Sequence, residues 1–310
     1  MSEYDTSVEQ PIGTLYEPQT GYYHIIEPAF IDYFFAEDGS STHRGTLFTR
    51  PELCGNVSMF PFIYDRVKKG LPVSLDWALI SNNTHPLATK LMREPEHLRN
   101  IRWHLLSANP CPEAFSLLFE NQDKIDWTYL SSNEYDGAVD LLERHIDKIN
   151  WACLCRNRNP RAISLLAKHP EKVNLAILSQ THTQQAVALL STLTRFEEAE
   201  SLGLFWALSA NPYAMDILEK HVDKICWETF STNPHQRTID LLLQNPTKMN
   251  FKQLSTNENP DALRLLERHL DKVDWSSLSA NPSAIGLLET HLDDVDLSSL
   301  LFNPSICRIV

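Results

Sequence analysis

The stretch Trp275-Ser276-Ser277-Leu278-Ser279-Ala280-Asn281-Pro282-Ser283-Ala284-Ile285-Gly286-Leu287-Leu288 decides the fold. It holds two helical signals joined by a turn. Asp274 stands before the first signal, where a carboxylate can accept hydrogen bonds from unpaired backbone N–H groups at a helix start. Asn281-Pro282 opens the second, an N-cap followed by a first-turn Pro whose fixed φ suits a helix. Ala284, Leu287 and Leu288 then fall at helical spacing and mark one apolar face.

The same phrase recurs ten times. Its Ser position falls at Ser81, Ser107, Ser131, Cys155, Ser179, Ser209, Ser231, Ser255, Ser279 and Leu301, with spacings of 26, 24, 24, 24, 30, 22, 24, 24 and 22 residues. A period in this range predicts stacked units, each burying its apolar face against its neighbours. The expected fold is therefore all-α: an α-solenoid of about ten 22–26-residue helix–turn–helix repeats over residues 71–310. A non-repeat, aromatic-rich arm or cap at residues 1–70 precedes it. Ten layers at ~8–10 Å each predict an open rod or arc on the order of 90 Å, without a β-sheet.

Three columns run through the repeat. Trp occupies the first at positions 77, 103, 127, 151, 227 and 275, with Leu or Phe at 175, 205, 251 and 297. Such a column reads as packing, not as a stacking platform for a ligand. Asn lies two places after the Ser position in nine of ten units, and only Thr181 departs. His145, His169, His221, His269 and His291 form the third. Equivalent histidines on helices ~8–10 Å apart cannot share one ion at ligand distances near ~2 Å, so they read as helix C-terminal donors to free carbonyls.

Composition narrows the function. A net charge of -13 argues against general nucleic-acid binding, which needs a concentrated basic surface. No apolar run approaches the roughly 18 to 20 residues of a membrane span, and the start Met1-Ser2-Glu3-Tyr4-Asp5 lacks the pattern of a secretory signal. The six cysteines show no Cys-x-x-Cys pair, which fits a reduced compartment and no zinc site. Neither a Gly-rich phosphate loop nor a nucleophile–base set stands out, so the expectation is no enzyme, no cofactor and no metal.

Two places invite a partner. Arg156, Arg158 and Arg161 cluster in one inter-helix loop of an acidic chain, and arginines suit carboxylate or phosphate recognition. The chain's end is apolar, with Phe302, Ile306 and Ile309 following Leu300 and Leu301. A repeat array needs a polar outer face on its last unit, so this end is expected to pack on another protein or a second copy. The N-terminal seventy residues carry too many aromatics for a disordered acidic arm, and either cap the array or reach a neighbour.

The phrase Trp-x-x-Leu-Ser-x-Asn-Pro-x-Ala-x-x-Leu-Leu resembles the repeat proteins of giant and algal large DNA viruses, over residues 71 to 310. The resemblance implies a viral origin and a helical array, with no catalytic residues to carry over. The expected role is a structural or protein–protein interaction scaffold of a large DNA virus, in the virion as a minor capsid or other component. The alternative is an adaptor in host cytoplasm that captures a host protein. Its partners would be capsid or host proteins, or a second copy of itself, with no nucleic acid and no secretion.

Overall fold

A computed structural model describes residues 14–17, 22–26, 48, 50–194, 196 and 203–309. The chain is mostly helical. Most units hold a short helix, a turn, a longer helix and a 3-10 turn, as in Trp127–Leu130, Asp136–Arg144 and Ile146–Lys148. The capping residues act as their types demand: Asp126 accepts from the N–H groups of Thr128 and Tyr129, and Asn159 from that of Arg161. Short units split the second helix into a 3-10 turn and an α segment, as in Pro282–Ala284 and Ile285–Thr290.

The Ser and Asn columns join one unit to the next. Ser131 Oγ donates to the Trp127 carbonyl at 2.7 Å and accepts from the Asn150 N–H of the following unit at 3.0 Å. Asn133 Nδ2 donates to the carbonyls of Ser107 and Asn109, both at 2.8 Å, in the unit before. Its Oδ1 accepts from the Tyr135 N–H at 2.9 Å. Both side chains are fully buried, so every polar atom needs a partner and finds one inside the chain. The Asn is thus more than a cap, because its amide stitches two units together.

This ladder runs from Asn83 through Asn109, Asn133, Asn157, Thr181, Asn211, Asn233, Asn257 and Asn281 to Asn303. It does not stop there. Asn56 Nδ2 donates to the carbonyls of Leu301 and Asn303 at 2.8 and 3.0 Å, while Asn83 Nδ2 donates to Cys54 at 2.8 Å. Cys54 and Asn56 thus fill the Ser and Asn places of an eleventh unit, whose helices are Pro51–Gly55 and Phe60–Lys68. The units form a closed circuit, turning about 33° per step if the eleven are equal.

Two expectations are corrected here. The open rod is replaced by a ring, because one rotation repeated at every joint brings the last unit back to the first. The C-terminal end packs on the chain itself instead of on another protein. Ile306 is fully buried, and β3 (Cys307–Ile309) pairs antiparallel with β2 (Tyr22–Ile26), which pairs with β1 (Thr14–Glu17). A strand therefore lies where none was expected. The described residues of the N-terminal region supply the eleventh unit, bonded to both ends of the array, a place that neither alternative for that region named. The ladder crosses the boundary drawn at residue 70, and five of the first seventy residues' twelve aromatics, Tyr4, Phe30, Tyr33, Phe34 and Phe35, lie outside the described residues.

Candidate functional site

The Trp and His columns meet. The ring of His145 lies 5.1 Å from that of Trp127, His169 lies 4.9 Å from Trp151, and His291 lies 5.2 Å from Trp275. Phe205 and Phe251 receive His221 and His269 in the same way. Lys148 Nζ sits 4.6 Å above the Trp127 ring, and Lys272 Nζ 4.7 Å above Phe251, where a cation meets the negative π face. The sequence reading gave these histidines to helix-end carbonyls. Among the described residues only His291 makes a contact of that kind, its Nδ1 lying 3.0 Å from the Leu287 oxygen. Their common role is to cover an aromatic ring, buried at Phe205 and half-buried at the others.

The arginine cluster divides. Arg161 is held by Asp140 at 2.5 Å and Glu143 at 2.7 Å on the preceding helix Asp136–Arg144, so it stitches two units. Arg158 is exposed and lies 3.9 Å from Glu134, and Arg156 is exposed beside it. His182, in the next unit's turn, has its pKa pushed down by burial and then by the nearby Arg158 charge. At the chain's end, Phe302 is 52% exposed and open to a partner, whereas Ile306 is fully buried and is not. Ile309 lies in β3 opposite His24, and its backbone is used in pairing.

Other reactive-looking groups are accounted for. Burial raises the thiols of Cys54, Cys111 and Cys155 above the ordinary range, which makes them poor nucleophiles. Ligand atoms of Glu94, Glu96 and His97 lie within 4.8 Å of one another. Glu94, however, is paired with Lys68 at 2.7 Å and His97 packs on Trp77 at 4.8 Å.

Sequence reasoning missed one feature, a pair of arginine stitches between longer helices and the acid that stands in their place at the joint after the second. Counting from the small residue of each longer helix (Ala162, Thr238, Ala262), the place before it holds Arg161, Arg237 and Asp261. Arg237 pairs with Asp216 and Glu219, both at 2.7 Å, as Arg161 pairs with Asp140 and Glu143. At the next joint the corresponding residues are Asp240 and Leu243, and they face Asp261 instead of an arginine. A groove of about 240 Å³ opens there, between Gln236–Gln244 and Pro260–Glu267. Aligning the repeats at this place would have exposed the reversal of charge.

No family model, curated protein or solved structure matches the chain. No helix among the described residues is long and apolar enough to cross a membrane.

Proposed function

We propose that this chain is a non-catalytic scaffold for protein–protein contacts, an α-solenoid closed on itself. The observation that carries this reading is the Ser/Asn ladder. The repeated polar side chains that would be the natural source of chemistry are buried and used up in joining units, which favours rigidity over reactivity. What varies between units lies on the surface: Arg156 and Arg158 on one turn, Phe302 on another, Leu243 on the helix Gln236–Gln244. Rigid elements bearing variable surface positions suit recognition, because little ordering entropy is lost on binding.

With the resemblance to repeat proteins of large DNA viruses, the role proposed is a virion component, such as a minor capsid protein, with other virion proteins as partners. Quantitative mass spectrometry of purified particles against infected-cell extract tests it. Enrichment in particles at a fixed ratio to the major shell protein is the expected result. Presence in the extract with none in particles would overturn the virion role and favour the host-directed adaptor.

A further inference from the structure

At two joints an arginine crosses from one unit's second helix to a pair of acids in the preceding unit, Arg161 to Asp140 and Glu143, and Arg237 to Asp216 and Glu219. The joint between Gln236–Gln244 and Pro260–Glu267 has the same backbone plan but lacks this side chain. Asp261 stands where the arginine would be, and Asp240 keeps its acid. Leu243 replaces the second acid and is 55% exposed. We propose that this groove docks a partner protein through an arginine side chain, whose guanidinium takes the place that Arg161 and Arg237 fill internally.

The chemistry of the groove specifies that occupant. Asp240 has no hydrogen bond or ion pair among the described residues, and it sits where Asp140 and Asp216 receive their arginines. Asp261 accepts from Gln236 Nε2 at 2.6 Å and from Arg264 Nη1 at 2.6 Å, so its charge is partly met and Asp240 is the principal anchor. A planar guanidinium can donate to Asp240 while its aliphatic stem lies along Leu243, with a neighbouring apolar side chain of the partner covering the rest of that leucine. Arg264 and Arg268 line the same groove, Arg264 turned to Asp261, so an acidic occupant is the outcome that the glutamate control tests. The net charge of -13 on the whole chain adds to the attraction for a basic segment.

The proposal rests on the scaffold reading only in requiring that a partner exists. A protein absent from virions can still dock an arginine, and a virion protein can fail to, so the two readings fail separately. The test uses the full chain with labelled Ile and Leu methyl groups, titrated by NMR with N-acetyl-leucyl-arginine amide. The citrulline and glutamate counterparts are the controls. Saturable shifts confined to the methyls of Ile239, Leu243 and Leu265 are expected in the millimolar range, at least about tenfold weaker with citrulline, whose side chain keeps the shape without the charge. Asp240→Asn should reduce binding to the citrulline level while leaving the thermal midpoint unchanged. Asp261→Arg should rebuild the internal stitch to Asp240 and abolish binding, with the remaining methyl spectrum preserved. Absent shifts with the arginine peptide, or equal shifts with citrulline or glutamate, would overturn the proposal. So would shifts of these methyls with protein concentration alone, together with a dimer lost in Asp240→Asn, since a second copy would then be the occupant.

Discussion

Asn56 and Asn303 lie 247 residues apart in sequence and one hydrogen bond of 3.0 Å apart in space. That contact has the form found at most other joints, with an Asn amide donating to the Asn carbonyl of the unit before. The ring therefore closes with the same Asn contact, to which the pairing of β3 with β2 is added. The seam differs also in that Leu301 holds the Ser place and offers no hydroxyl.

Removing one rung should be costly. Asn133→Ala deletes two donors and leaves the buried carbonyls of Ser107 and Asn109 and the Tyr135 N–H without this partner. A loss of about 2–4 kcal/mol is expected in urea unfolding. Ser131→Ala removes a smaller share, about 1–3 kcal/mol, chiefly by orphaning the Asn150 N–H.

The joint between the units of Cys155 and Thr181 should be the loosest. Thr181 Oγ1 makes one bond, to the Cys155 carbonyl at 2.6 Å, where the Asn rungs on either side make two. Cys155 Sγ accepts the Asn174 N–H at 3.4 Å, a longer contact than the serines make. Thr181→Asn should add about 0.5–1.5 kcal/mol. Hydrogen exchange at the Asn174 and Thr181 amides should be faster than at Asn150 and Asn133 in the native protein, and slower in the double variant Cys155→Ser/Thr181→Asn.

The aromatic column separates packing from surface contact. Trp127 is half-buried, so Trp127→Ala should cost about 2–3 kcal/mol, below the ~3–5 of a fully enclosed ring. His145→Ala, which uncovers one face of that ring, should cost about 0.5–1.5 kcal/mol. Thermal denaturation of the two variants checks the ranking, and a larger loss for His145→Ala would contradict it.

His182 has a lowered pKa, so its neutral form belongs to the folded state. The stability it contributes is present above the ordinary imidazole value of about 6.5, and is lost as pH falls from there towards the lowered folded value. His182→Gln should flatten the pH dependence of the unfolding midpoint between about pH 7 and 5.

The helices and their caps were legible because each rests on local chemistry that recurs in many of the ten units: Asp or Asn before Trp, Asn before Pro, Leu-Leu at helical spacing. Closure was not legible, because the eleventh unit disguises itself. Arg50 takes the Trp place, and Phe60-Pro61-Phe62-Ile63 replaces the Ala-x-x-Leu-Leu run. The surviving signal is Leu53-Cys54-Gly55-Asn56, a copy of Leu-Ser-x-Asn read only once the buried role of that Asn is known. For the candidate site, Arg158 and Phe302 are exposed as a docking surface requires. The burial of Ile306 and the capture of Arg161 by Asp140 depend on contacts between units, which no single repeat encodes. The groove at Asp240 was hidden for another reason, since its signal is an arginine that is missing.

The closed circuit is tested most directly by Förster transfer between dyes carried on non-canonical residues at Val57 and Phe302, both exposed and flanking the Asn56–Asn303 contact. The ring predicts near-complete transfer in a single narrow population, shifting to low transfer only when the protein unfolds. Low transfer in the folded protein, as an open array on the order of 90 Å would give, would contradict it.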